Sequence, residues 1–398
     1  MRVARRNPTP GSQTSLREAN RARIVESLRH HGRLTQVELA GTTGLSPATV
    51  SNIVKELSAS GVLHTSITSR SGRRATMVTL SHEIGLVAGV HFSSRHLRIA
   101  IADASTAIVA ETHVPLSLDH RHDAELDRVG LLLGDMCESL GTGIPELLAI
   151  GLGIPAPVDH RTGMVSTPGL LRGWEGIDVG EALSARLDRP VFVDSEANLG
   201  GLAEVRSGAA RDSTAAAFLH VGHHISAAIM IDGTPFHGVT GKAGQIGHVT
   251  IDENGPICRC GNRGCLETLA AGPALLALFR EDAGMHRVSD LVHAAEQGDA
   301  SSQRVIADAG RHIGIAAANL SNLFDPERIV VGGDLGLAGE TLLAPLRHAL
   351  ERSALPSADG MPEVVTASWA DRAALQGAIA LALEHAPMPI EIADKTPA

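Results

Sequence analysis

Residues 244–267 read GQIGHVTIDENGPICRCGNRGCLE. Three of the four cysteines in the chain, Cys258, Cys260 and Cys265, fall here, with His248 ten residues upstream of the first. Thiols clustered this tightly argue for metal ligation rather than a disulfide framework, and thus for a reducing cytoplasm. Three thiolates and one imidazole complete a tetrahedral Zn²⁺ shell with no open position, so one structural zinc per chain is expected. Gly255, Gly261 and Gly264 supply the backbone freedom that a CxCGxxGC loop needs. Cys137, alone in a helical stretch, reads as a core residue.

On either side of this loop the chain alternates apolar strand-like runs with helical periods. Strand candidates are LVAGVHF, LRIAIAD, LLAIGLGIPAPV, PVFVDSE, AAAFLHV, AAIMIDG and RIVVGGD. Helical periods cover 122–140, 178–188, 196–207, 267–281, 301–322 and 371–386. Mixed elements at this spacing predict α/β lobes built on central sheets. Hydrophobic residues make up 43% of the 398 and aromatics only 2%, so the cores must be aliphatic.

Upstream of residue 83 the pattern changes. Residues 16–31 have helical spacing and end at Gly32. Thr35 and Glu38 form a capping box before a short helix, Gly44 marks a turn, and Ser46 with Pro47 opens a second helix that Gly61 stops. Two short helices across a tight turn make a helix-turn-helix. Val50, Val54 and Leu57 face inward, which leaves Thr49, Ser51, Asn52 and Lys55 for a DNA major groove. Two strand-like runs follow, with Arg70, Arg73 and Arg74 around their turn, as in a wing that grips phosphates or a narrow minor groove. Thr35, Ser46, Thr49, Ser51, Asn52, Lys55, Arg70, Arg73 and Arg74 are therefore the candidate DNA-binding residues.

Charge supports this division. Residues 1–80 hold twelve Lys/Arg against four Asp/Glu, whereas the remainder holds 22 against 40. A basic head on an acidic body suits a nucleic-acid-binding module joined to a second function. No apolar run is long enough for a transmembrane helix, so membrane insertion is not expected. Residues 1–15 and 387–398 read as disordered tails.

The zinc loop, AGQIGH and CLE, together with GLGIPAPVD, SEANLGGLAE and NLSNLFDPERIVVGGDL, resemble the ROK family of repressors, open reading frames and sugar kinases. The resemblance runs from about residue 16 to 386, and the N-terminal extension is similar to the NagC, Mlc and XylR type of regulator within it. It implies an actin-like (ribonuclease H-like) two-lobed body, with lobe 1 at 83–200 plus the returning helix 371–386 and lobe 2 at 201–370, behind a winged helix-turn-helix at 16–82. It further implies a homodimer or homotetramer on double-stranded operator DNA, governed by a sugar or sugar-derivative effector.

Three kinase motifs are altered. The phosphate loop DxGGT reads His91-Phe92-Ser93-Ser94-Arg95 here, GTGxG reads Gly222-His223-His224-Ile225-Ser226, and the NDAN-like motif with the catalytic Asp reads Ser195-Glu196-Ala197-Asn198. The longer Glu196 side chain misplaces its carboxylate for phosphoryl transfer, which depends on positioning. The resemblance places the ligand among Gly169, Ser195, Glu196, Gln245, His248 and Glu267. Gly169 stands for the usual Asn and Gln245 for the usual Glu, which changes the ligand that fits. Arg172, His223 and His224 are counter-charges for a phosphorylated sugar. The expectation is a DNA-binding regulator, commonly a repressor, of carbohydrate genes with no catalytic residues. A regulator with a vestigial cleft governed by a protein partner, and an active sugar kinase, remain the alternatives.

Overall fold

The structure is a computed structural model describing residues 13–387, apart from 71–72, 118–119, 168, 281–283 and 357–359. Most of both expected tails, the tip of the wing and Pro168 lie outside the described residues, as do the side chains of Arg70 and Arg73.

The head is a short bundle with a hairpin. Helix α1 (Gln13–His31) begins within the expected tail, and strand β1 (Leu34–Thr35) leads to α2 (Gln36–Thr43) and α3 (Pro47–Ala59). The Thr35 hydroxyl accepts from the Glu38 N–H while the Glu38 carboxylate takes the Thr35 N–H at 2.6 Å, closing the capping box. Gly44 adopts φ +67° and returns its N–H to the Ala40 carbonyl at 3.0 Å, which ends α2 and sets the turn. Ser46 caps α3 and Pro47 occupies its first turn. Strands β2 (Leu63–Arg70) and β3 (Arg73–Leu80) form the wing, and β1 pairs with β3. Strand β1 was not anticipated from the sequence.

The body contains two five-stranded sheets. The first comprises β4 (Leu86–Phe92), β5 (His96–Asp103), β6 (Ile108–Pro115), β7 (Leu147–Ile154) and β10 (Val191–Ser195). Helix α4 (His122–Ser139), the small hairpin β8 (Val158–Asp159) and β9 (Met164–Val165), and α5 (Val179–Leu187) connect them, and α6 (Glu196–Ser207) leaves from β10. The second sheet comprises β11 (Ala215–Val221), β12 (Ile225–Ile231), β13 (Thr234–Pro235), β14 (Arg328–Gly332) and β15 (Glu363–Thr366). Between β13 and β14 lie α7 (Glu267–Ala270), α8 (Gly272–Leu276), α9 (Val288–Glu296) and α10 (Ala300–Phe324); α11 (Glu340–Ser353) precedes β15 and α12 (Ala373–His385) follows it.

The sheet orders are β10-β7-β4-β5-β6 and β13-β12-β11-β14-β15. Each is the same pattern: a first strand in the middle, an antiparallel meander on one side and two parallel strands on the other. The body is thus one topology used twice, with α6 and α12 packed together between the sheets. The close packing of α12 against α6 and β7 needs glycine. A Cβ on Gly377 would lie 1.9 Å from the Leu199 carbonyl oxygen, and one on Gly151 would lie 1.9 Å from that of Ala378.

Two expectations need correction. The helix expected at 267–281 is broken: Ala271 is extended (ψ 156°), and Pro273 opens the separate helix α8. Proline has no N–H to continue the α7 ladder, so the chain restarts there. The lobe boundary expected at 200/201 falls inside α6, which leaves lobe 1 and packs on β11 and β12 of lobe 2. The head also shares its core with the body. Ile24, Leu28, Val50, Val54 and Leu57 belong to one apolar cluster with Val87, Ala149, Leu375, Ile379 and Leu383. Among the described residues, no helix is long and apolar enough to cross a membrane.

Candidate functional site

The cysteine loop closes on itself. Cys258 N–H bonds to the Asn262 carbonyl at 2.7 Å and Gly261 N–H to the Cys258 carbonyl at 2.9 Å. Gly264 (φ +61°) passes so close to Asp252 that a Cβ would sit 1.4 Å from its carbonyl oxygen. This brings Cys260 Sγ to 3.7 Å from Cys265 Sγ, and Cys258 Sγ to 3.5 Å from His248 Nδ1. Two thiolates on a tetrahedral zinc at ~2.3 Å lie ~3.8 Å apart, and a thiolate and an imidazole lie ~3.6 Å apart. The four donors together form a group that can hold a metal ion. Burial and the neighbouring thiols push the Cys265 thiol up to about 12, so a cation is what would make it a thiolate.

His248 cannot serve metal and ligand equally. Its Nδ1 faces the thiols, while Nε2 points toward the Glu267 carboxylate, 4.0 Å away. Glu267 is itself engaged: Arg259 binds it through two nitrogens at 3.0 and 3.1 Å, and Ile225 N–H donates to it at 3.2 Å. Arg259 also donates to the Leu170 carbonyl at 3.0 Å. The sequence reading missed Arg259, although its place between two zinc-ligand candidates aims it away from the sulfurs and into the cleft.

The expected ligand residues come together only in part. Ser195, Glu196, Gln245 and Glu267 line a cavity of about 10 Å³ with Leu170, His224 and Arg259. Gly169 is exposed with φ +82°, and Leu170 takes its place in the cavity wall. Arg172 is exposed, and neither it nor His223 is among the residues lining this cavity. His224 lines it, and Arg259 rather than Arg172 supplies the arginine charge.

Beside this cavity lies a second one, where the three altered kinase motifs meet. Its walls include His91, Ser93 and Ser94 from the end of β4, His220, His223 and His224 from β11 and the turn after it, and Glu196 at the start of α6. Glu196 is 2% exposed and faces three imidazoles: His91 Nε2 at 3.1 Å, His220 Nε2 at 3.2 Å, and His224 Nε2 in a short hydrogen bond. Burial opposes ionisation of Glu196, but the facing histidines outweigh it and hold the carboxyl well below its usual range. Burial works against a charged His224 too, yet the Glu196 charge and hydrogen bond raise its pKa. Burial pulls His220 and His223 down to about 4. Glu196 and His224 thus form a buried ion pair beside the neutral imidazoles of His220 and His223.

Helix α3 presents Ser51, Asn52 and Lys55 to solvent, with Thr49 half-buried beside them. Ile53 joins Val50, Val54 and Leu57 on the buried side. Ser46 is exposed, but its Oγ is used by the Thr49 N–H (3.1 Å) and shared with the Thr49 hydroxyl (2.8 Å). Thr35 is 4% exposed and held in its capping box, so it is corrected from a DNA contact to a helix cap. Arg74 is exposed at the wing.

Head and body are joined around Arg206, near the C-terminal end of α6. Its guanidinium donates to the Arg29 carbonyl at 3.0 Å and the Ala380 carbonyl at 3.1 Å, and pairs with Glu384. Arg29 in turn donates to the carbonyls of Leu383, Glu384 and Ala386. Helix α6 thus begins at Glu196 in the cleft and ends against the helix that carries the DNA-binding head.

Comparison with known proteins agrees with this organisation. The chain matches the ROK family over residues 87–385 and a winged helix-turn-helix DNA-binding domain over residues 17–63. It belongs to the ROK family. It is 29% identical to the Escherichia coli K12 DNA-binding transcriptional dual regulator NagC, covering 94% of this chain and 96% of that one. It is 26% identical to the xylose repressor of Caldicellulosiruptor bescii, covering 94% and 97%. Its fold matches the crystal structure of a ROK family transcriptional regulator, a homologue of E. coli Mlc, with a TM-score of 0.72 at 23% identity over 93% of this chain and 97% of that one. The body therefore has the expected actin-like fold. A DNA-binding head fused to a ROK body is the organisation of a sugar-responsive DNA-binding repressor, and this chain has it.

Proposed function

We propose that the chain represses carbohydrate genes in the cytoplasm as a homodimer or homotetramer on double-stranded operator DNA, and that a sugar or sugar derivative in the interlobe cleft changes the setting of its heads. Ser51, Asn52 and Lys55, with Thr49, read the major groove, and Arg70, Arg73 and Arg74 hold the wing on the backbone. The observation that carries the reading is α6, one helix that runs from Glu196 in the cleft to the head-gripping Arg206. The cavity around Ser195, Gln245 and Glu267 is too small for a sugar as it stands, so the ligand binds a more open arrangement of the lobes. A ligand shifts the heads only by preferring one arrangement over the other.

The cleft is not a phosphoryl-transfer site in this reading. Glu196 is enclosed by three imidazoles and has no free oxygen for a sugar hydroxyl. His248, Cys258, Cys260 and Cys265 would hold a structural Zn²⁺, which would fix the loop that places Arg259 and Glu267. The working frame is a head at 16–82, a first lobe from 83 to the end of β10 with the returning C-terminal helix, and a second lobe from β11 to about 370, with α6 shared between the lobes.

The test is to mix zinc-loaded protein with fragmented host DNA, recover bound fragments and sequence them. Enriched sites sharing a palindrome near sugar-utilisation genes, released by one of those sugars, are expected. Sugar-dependent ADP production, or no enrichment at moderate salt, would overturn the reading.

A further inference from the structure

The Glu196 cluster is built differently from an ordinary buried ion pair. Four elements converge on one carboxylate: His220 from β11 and His224 from the β11–β12 turn face Oε1 of Glu196, the first residue of α6, and His91 from β4 faces its Oε2. All four are at least four-fifths buried. One ion pair needs one imidazole, and here three aim Nε2 at the same carboxylate. The 3.2 Å between His220 Nε2 and Glu196 Oε1 matches the ~3.3 Å between neighbouring donors on a tetrahedral ion with bonds of ~2.0–2.1 Å. Glu196, His220 and His224 also offer donor atoms within 4.8 Å of one another. The adjoining cavity, about 30 Å³, has room for an ion with a water or two and none for a sugar. Ser94 Oγ lies 3.4 Å from His224 Nδ1, the outer hydrogen bond that orients a ligating imidazole.

We propose that Glu196, His220 and His224 bind a divalent transition-metal ion of the Zn²⁺ or Co²⁺ kind inside the cleft, with His91 holding the second oxygen of the Glu196 carboxylate and water completing the shell. Imidazole with carboxylate suits such borderline ions better than Mg²⁺, which takes oxygen donors. This site is distinct from the thiolate group, shares no ligand with it, and places an ion at the first residue of α6. A second His-carboxylate group, His160, Asp194 and His237, is less suited. Asp194 Oδ1 is already taken by the Ser195 N–H and the Asn198 amide, each at 2.7 Å, and His160 is 38% exposed.

Metal content is read without DNA, so this assignment and the regulator reading fail separately. Full-length protein is dialysed against buffered Co²⁺ and its total bound Zn and Co are counted by elemental analysis. Wild type is expected to carry one equivalent more than His220→Ala/His224→Ala, with the thiolate-to-cobalt absorption of the cysteine group equal in both when that group is loaded with Co²⁺. His160→Ala/His237→Ala is expected to match wild type. His220→Gln, which keeps the side-chain volume, covers the case in which the double variant does not fold; it should weaken the extra equivalent at least ~10-fold. Equal metal in wild type and the His220/His224 variants, or loss of the extra equivalent with His160 and His237 instead, would overturn the proposal.

Discussion

Replacing Arg206 with alanine should detach the head from the body. The guanidinium is 7% exposed and makes two hydrogen bonds to carbonyls, from Arg29 of the head and Ala380 of α12, besides its pair with Glu384. Breaking a buried pair by removing one partner costs about 3–5 kcal/mol, because the other charge is left uncompensated. Here Glu384 is 22% exposed and keeps His30 at 3.3 Å, so solvent and that imidazole recover part of the loss. The hydrogen bonds to Arg29 and Ala380 are charge-assisted and worth more than neutral ones. The expected destabilisation is therefore about 3 kcal/mol, at the low end of the buried-pair range. Urea unfolding measures it, and the cycle with Glu384→Gln should give a coupling of at least ~1 kcal/mol, as for contacting residues. The variant should also keep some operator affinity while losing its response to the effector. Unfolding within ~0.5 kcal/mol of wild type, the range of an ordinary surface substitution, would refute the claim that Arg206 fastens the head.

Four further outcomes are expected. Burial works against ionisation of Glu384, but the His30 hydrogen bond and the Arg206 charge bring its pKa down to about 2, against ~4.3 when unfolded. Its contribution is complete above about pH 4.5 and falls away as the pH drops toward 2, so thermal melts across that window should lose stability on acidification in wild type and much less in Glu384→Gln. Cys260→Ser should release the metal of the cysteine group and lower the melting temperature of the body; elemental analysis with unchanged melting would separate the group from stability. Asn52→Ala should cost about 1–3 kcal/mol on the operator and relax one base position, whereas Lys55→Ala should weaken all sequences alike and reduce the salt slope by ~1 in binding titrations. Thr35→Val should cost ~1 kcal/mol of folding stability through the lost cap, with no change in which operator bases are preferred in a binding-site selection.

How much was legible in the chain depended on how local the cause was. The capping box at Thr35 and Glu38, the turn at Gly44 and the start of α3 at Ser46 and Pro47 are decided within three or four residues, and each stands where the spacing put it. The Cys258–Cys265 loop is equally local, and only its fourth donor, His248, comes from further away. Edge elements were harder to read. Strand β6 alternates half-buried and exposed positions along IVAETHVP, and α11 carries Pro345 in its interior, so neither has a clean period.

The sequence by itself determined the DNA-binding head, the cysteine loop and the α/β character of the body, since capping, turn chemistry and cysteine spacing act between near neighbours. Only the tertiary structure decided what converges. His91, Glu196 and His220 are more than a hundred residues apart at the extremes, and nothing in their local patterns joins them. It also decided that Thr35 is buried, that Leu170 and Arg259 rather than Gly169 and Arg172 wall the cleft, and that Arg206 reaches Arg29. Those outcomes follow from the docking of two like sheets about α6 and α12, and the close approach of these elements, where Gly377 meets the Leu199 carbonyl, is set by packing across the whole body.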